Sequence, residues 1–208
     1  MITSMNNAID AEEAGRGRHP VRLAPNLLTI SRIAAVPLIV ALMLLGGPAA
    51  RWAAFALFVV AAVTDYADGW LARKWRQRSA LGVMLDPIAD KLLVAAALVM
   101  LAGDGTIAGA TLIAAVVILA REILISGLRE YLAGLDFQVP VSRLAKVKTA
   151  TQLVAVAILF AGPPGEALVP GLLAVGTALL WLAALLSLTT GYDYLKAGIQ
   201  RVLAEDGE

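Results

Sequence analysis

Residues 52–72 read WAAFALFVVAAVTDYADGWLA, residues 73–80 read RKWRQRSA, and residues 81–102 read LGVMLDPIADKLLVAAALVMLA. Two apolar runs, each near the roughly 20 residues that cross a hydrocarbon core of about 30 Å, flank a basic turn. In lipid an isolated apolar segment satisfies its backbone only as a helix, so the stretch predicts a membrane-embedded helical hairpin. Each arm carries two carboxylates, Asp65 and Asp68 in the first, Asp86 and Asp90 in the second. Spacings of three and four put each pair on one helix face. Asp65 precedes Arg73 by eight residues, roughly 12 Å along the axis at 1.5 Å per residue. Asp90 lies nine residues beyond Leu81. The hairpin therefore brings both pairs to one depth, in the half of the membrane nearest the basic turn.

Outward from the hairpin the pattern repeats. Six apolar stretches are legible: about Leu27–Leu45, Trp52–Ala72, Leu81–Ala102, Ile107 to Tyr131, Leu144–Ala161, and Leu168–Leu188 extended by Tyr192 and Tyr194. Asn26 reads as an N-cap for the first, and Gly46-Gly47-Pro48 closes it. Of 208 residues 60% are hydrophobic and 16% charged, where soluble domains carry about a quarter charged residues. The class is an all-α integral membrane protein with six transmembrane helices. One domain is expected over residues 21–200, with polar tails at 1–20 and 201–208. The first tail lacks an apolar h-region, so no cleavable signal peptide is expected there, and it reads as partly disordered. Trp52, Trp70, Trp75 and Trp181 read as interface or packing residues.

Lys and Arg give the orientation. They cluster before the first stretch (Arg16, Arg18, Arg22), in the hairpin turn (Arg73, Lys74, Arg76, Arg78), around the fourth-to-fifth connection (Arg129, Arg143, Lys146, Lys148) and after the sixth (Lys196, Arg201). The opposite connections hold only Arg51. By the positive-inside rule both termini and the basic loops face the cytoplasm.

The chain has no cysteine and one histidine, His19 in the N-terminal tail. Thiolate and histidine-rich metal sites are thereby excluded, and any metal takes oxygen ligands, as Mg²⁺, Mn²⁺ and Ca²⁺ prefer. Ionisable residues inside spans are expensive and by default functional. Four carboxylates gathered at one depth cannot all stay ionised without a cation, and one or two divalent ions resolve this. The plainer alternative has them capping helices or pairing with Arg73, Lys74 and Lys91. Gly69 and Gly82 allow close approach of a ligand or of a neighbouring helix.

Asp65-x2-Asp68-Gly69-x2-Ala72-Arg73-x8-Gly82-x3-Asp86-x3-Asp90 resembles the signature of the CDP-alcohol phosphotransferases, with each fixed position present. The six-span reading agrees with that family's bundle over most of the chain. The resemblance implies Mg²⁺ or Mn²⁺, two ions, held by Asp65, Asp68 and Asp86, with Asp90 sharing in this or standing free. It implies Asp90 as the general base acting on the acceptor hydroxyl. Gly69, Ala72 and Arg73 would line the nucleotide pocket for the CDP moiety, with Gly82 and the two metal-binding residues Asp65 and Asp68 beside it. It further implies a bacterial inner membrane, a site facing the cytoplasm, and a homodimer.

The acceptor has to be read elsewhere. Arg121, Arg129, Lys146 and Lys148 fall on the cytoplasmic side, near the depth of the aspartates. Arg grips a phosphate bidentately and Lys as a point charge, so the cluster predicts an acceptor carrying a phosphate. The alternatives are lysines that snorkel to lipid head groups and an Arg121 or Arg129 paired with Glu122. The segments Arg121-Glu122-Ile123…Ser126-x-Leu128-Arg129-Glu130, Lys146-x-Lys148-Thr149-x2-Gln152 and Asn26-x2-Thr29-x2-Arg32 resemble the phosphatidylglycerophosphate synthase branch of the family. The pattern near Thr190-Gly191-Tyr192 is less sharply kept, with Thr189 in place of an expected Ser. This branch implies transfer of a phosphatidyl group from CDP-diacylglycerol to glycerol 3-phosphate, with release of CMP. Asn26, Thr29 and Arg32 share one face and would line the same cleft; their plain reading is a cap, a back-bonded Thr and an interfacial Arg. Rival acceptors are phosphatidylglycerol, inositol phosphate and serine. From another class, a cation-coupled transporter would also need intramembrane carboxylates, although such sites lie nearer the midplane.

Overall fold

The computed structural model describes residues 23–75, 80–134, 137 and 142–205. They form six helices: α1 Leu23–Leu45, α2 Gly47–Trp75, α3 Ala80–Gly103, α4 Thr111–Gly134, α5 Arg143–Leu168 and α6 Leu172–Glu205. There is no strand among the described residues. Among the described residues four segments are long and apolar enough to cross a membrane: Gly47–Thr64, Thr111–Gly134, Arg143–Leu168 and Leu172–Gln200, with a shorter apolar stretch at Thr29–Leu45. Their surfaces expose large apolar side chains, among them Leu44, Leu45, Val63, Val116 and Ile123. That is expected where the surrounding solvent is hydrocarbon.

α1 packs on both α2 and α3; α5 and α6 form the most extensive pair; α4 lies against α6, and α2 joins the two groups through α5. The core is rich in small residues, with Ala54, Ala97, Ala114, Ala155 and Ala183 fully buried. In lipid the hydrophobic effect does not drive helices together, so close backbone approach over small side chains supplies the packing. Phe58 of α2 and Phe160 of α5 fill the remaining space, both buried, with ring centroids 5.1 Å apart.

Some expected boundaries move. Asn26 is not a cap, because α1 already starts at Leu23. Pro25 fits there, since the first turn has no intrahelical acceptor for the N–H that Pro lacks. α4 begins at Thr111 rather than Ile107. Ile107 sits in the connection, 1% exposed, its N–H donating to the Leu101 carbonyl at 2.8 Å, so its apolar side chain plugs the core from a turn. α5 is divided at Gly162, which is non-helical (φ 55°, ψ −151°): its first part ends where the apolar stretch ends, at Ala161, and Pro163 and Pro164 open a second part that runs to Leu168.

This break explains Arg51, the single basic residue of the opposite connections. Prolines at 163 and 164 remove the N–H groups that would bond the carbonyls of Leu159 and Phe160 four residues back. Arg51 replaces both: Nε donates to the Phe160 carbonyl at 3.0 Å and Nη2 to that of Leu159 at 3.2 Å. The same guanidinium donates to Thr106 Oγ1 at 2.6 Å and pairs with Asp104. One side chain thus ties α2, the α3–α4 connection and α5 together, at the end of the bundle away from the aspartates. A Cβ on residue 162 would fall 1.9 Å from Arg51 Nε, so glycine is required there for space as well as for φ.

Candidate active site

α3 carries two of the four aspartates within the described side chains, and they face different neighbours. Asp86 faces α1: its Oδ1 accepts from Thr29 Oγ1 at 2.6 Å and from Arg32 Nη2 at 3.1 Å. Thr29 and Arg32 are each 2% exposed, while the Asp86 side chain is half exposed. Two donors on one carboxylate oxygen fix its direction and leave the other open on an accessible surface. Arg32 is therefore not interfacial, and Thr29 turns its hydroxyl to a carboxylate on another helix. The i, i+3 reading of that face is what the packing uses.

Asp90, one turn on, lines a cleft of about 1070 Å³ formed by α2, α3, α4, α5 and α6. Its lining is of two kinds. Phe58, Val59, Ala62 and Val63 of α2 with Val154 and Ala157 of α5 make an apolar wall. Lys91, Arg121, Arg129, Lys146 and Lys148 make a basic one, with only Asp90 and Glu122 as carboxylates among its described lining. The four cations expected to hold an acceptor phosphate are thus brought into one space with the expected base.

The cations are not equivalent. Lys148 is 2% exposed and pairs with Glu122 of α4, so it does not snorkel to head groups. Arg121 lies 3.8 Å from the other Glu122 oxygen and donates to Thr190 Oγ1 of α6 at 3.1 Å. Gly191 makes room for it, since a Cβ there would lie 3.1 Å from Arg121 Cγ. Glu122 thus bridges two cations from two helices, a role sequence reading had allowed only to Arg121 or Arg129. Lys146 and Arg129 are exposed on the cleft rim. Tyr194, 5% exposed, also lines the cleft. It was missed as a site residue, yet it sits one turn beyond Thr190, a spacing that could have marked it.

Asp65, Asp68, Gly69, Ala72 and Arg73 fall on α2 and Gly82 on α3, but their side chains lie outside the described residues, as does that of Asn26. Among the described residues no group of three or more acidic or histidine side chains is assembled. The described donors do fit a hard divalent ion. They are carboxylate oxygens, one oriented by Thr29 and Arg32 in the way outer-shell partners orient metal ligands.

Residues 22–189 match the model of the CDP-alcohol phosphatidyltransferase family. The chain belongs to this family. Its members include curated relatives named CDP-diacylglycerol–glycerol-3-phosphate 3-phosphatidyltransferase. The protein of Rickettsia bellii is 47% identical over 173 residues, covering 83% of this chain and 93% of the relative. That of Pectobacterium atrosepticum is 43% identical over 175 residues, covering 83% and 93%. That of Cereibacter sphaeroides is 38% identical over 210 residues, covering 84% and 95%. Membership makes this chain a CDP-alcohol phosphotransferase, and the relatives do not favour the transporter alternative.

Proposed function

We propose that this chain transfers the phosphatidyl group of CDP-diacylglycerol to glycerol 3-phosphate, giving phosphatidylglycerophosphate and CMP. The observation that carries the reading is the cleft, in which Asp90 shares one space with four phosphate-binding cations and an apolar wall. The names of the relatives support the same substrates.

The apolar wall between α2 and α5 suits the acyl-bearing half of the lipid substrate, which arrives laterally from the membrane with its tails in hydrocarbon. Arg121, with Arg129 and Lys146 at the rim, holds the acceptor phosphate. Lys148 adds charge but spends much of it on Glu122. Asp90 takes the proton from the primary hydroxyl, which attacks the phosphorus bearing diacylglycerol, and CMP leaves. A general base has to stand within hydrogen-bond reach of that hydroxyl. Asp65, Asp68, Asp86 and Asp90 would hold Mg²⁺ or Mn²⁺, two ions in our reading. Bound there, such ions would supply positive charge for the diphosphate and for the departing CMP. Gly69, Ala72, Arg73, Gly82, Asn26 and Thr29 serve the CDP half.

In this reading all six helices lie in an inner membrane, both termini and the site face the cytoplasm, and the protein works as a homodimer. The test is incorporation of radiolabelled glycerol 3-phosphate into lipid by purified protein given CDP-diacylglycerol and Mg²⁺. A labelled phosphatidylglycerophosphate is expected. Label that stays in the aqueous phase while CMP is released with another acceptor would overturn the acceptor assignment.

A further inference from the structure

Two cleft residues carry a buried side-chain atom with no hydrogen-bond partner: Arg121 through Nε and Gln152 through Oε1. Their characters are opposite, since a guanidinium nitrogen only donates and an amide oxygen only accepts. Buried polar groups are nearly always satisfied, and exceptions call for an explanation. For Arg121 the phosphate of the acceptor is that explanation. It does not serve the Gln152 oxygen, which is an acceptor like the phosphate and calls for a donor.

Gln152 is 2% exposed and lies one turn beyond Lys148 on α5, so the two share a face. Lys148 is tied to Glu122, and Glu122 adjoins Arg121. The bare oxygen therefore belongs to the same cleft as Arg121, the group that receives the acceptor's phosphate in the reading above. It needs a donor, and a hydroxyl of the acceptor can supply one. Glycerol 3-phosphate brings two hydroxyls: the primary one is consumed in the reaction, and the secondary one remains. An aliphatic side chain of similar size would pack this position without an orphaned atom, so the amide is explained by a ligand rather than by the fold.

We propose that Gln152 determines acceptor specificity by accepting a hydrogen bond from the secondary hydroxyl of the polyol phosphate. The inference rests on the phosphatidyl-transfer reading above and adds a residue to it. A site built to bond a substrate hydroxyl rejects the analogue lacking it, because its own polar group is then left unpaired.

The experiment compares kcat/KM for CMP release with glycerol 3-phosphate and with 3-hydroxypropyl phosphate, which keeps the primary hydroxyl and the phosphate but lacks the secondary hydroxyl. The native protein, Gln152→Leu and Gln152→Met are measured with both. The native protein is expected to prefer glycerol 3-phosphate by at least about ten-fold. Both variants should lose most of that preference, with turnover of the deoxy acceptor kept within about three-fold, which also reports that they fold. A native protein that uses both acceptors equally overturns the proposal, as does a variant that keeps the native ratio. Loss of both activities in both variants assigns Gln152 to packing and overturns it too. No CMP release by the native protein with glycerol 3-phosphate is a different failure, that of the function itself.

Discussion

Arg32 Nη2 lies 3.1 Å from Asp86 Oδ1, joining α1 to α3 across 54 residues of sequence. The guanidinium is buried and the carboxylate half exposed, so the pair works as an aiming device for Asp86 more than as a source of stability. Thr29 completes it on the same oxygen.

Replacing Arg32 by Met should therefore lower turnover rather than unfold the protein. Partners that orient a metal-binding carboxylate typically contribute 10- to 100-fold, and a loss of about that size is expected with a rise in half-saturating Mg²⁺. Thr29→Val should show the same change to a smaller extent. CMP release titrated against Mg²⁺ measures both; unchanged curves would contradict the aiming role.

Metal removal is the second test. Dialysis against EDTA should abolish CMP release, and Mg²⁺ or Mn²⁺ should restore it, since the site offers only oxygen donors. Zn²⁺ should restore it poorly, there being no cysteine and no histidine outside the N-terminal tail. Full activity in EDTA would remove the metal from the account.

Glu122 bridges Lys148 and Arg121, and this predicts non-additive stability. Glu122→Gln leaves a buried ammonium without its partner, and Lys148→Met leaves the carboxylate with only Arg121. Removing one member of a buried pair costs about 3–5 kcal/mol, an upper limit here because Glu122 is partly accessible. The double variant Glu122→Gln, Lys148→Met should recover much of the loss. Thermal unfolding in detergent reads this cycle, and strictly additive shifts would contradict the pairing.

Arg51 supplies the fourth prediction. Arg51→Leu leaves the Leu159 and Phe160 carbonyls, orphaned by the two prolines, without donors in a low-dielectric setting. A loss of about 2–5 kcal/mol is expected. Gly162→Ala should destabilise as well, because its φ of 55° and the contact with Arg51 both exclude a Cβ. Both variants should keep their kcat below the unfolding transition, since the clamp lies at the far end of the bundle. A kcat loss without a stability loss would contradict this division.

Much of the architecture was legible because apolar runs of spanning length leave the backbone one solution in lipid. The ends were less legible. Ile107 looks like the start of a helix because it is apolar, yet it is apolar in order to plug a turn. Gly162-Pro163-Pro164 does break the helix, but what satisfies the carbonyl before the break is a residue 109 positions away, Arg51 donating to Phe160. The site divides in the same manner. The shared face of Thr29 and Arg32 follows from spacing along one helix, and the cleft cations from their charge and depth. The Glu122 bridge and the orphaned Gln152 oxygen depend on which helices meet, and local periodicity carries no record of that.

The most direct measurement is CMP release from CDP-diacylglycerol and Mg²⁺ by the native protein and by Asp90→Asn, with glycerol 3-phosphate, inositol phosphate, phosphatidylglycerol or serine offered in turn. The account predicts release by the native protein with glycerol 3-phosphate alone, and almost none by a folded Asp90→Asn protein with any acceptor. Release that does not depend on glycerol 3-phosphate, or an Asp90→Asn protein with native turnover, would contradict it.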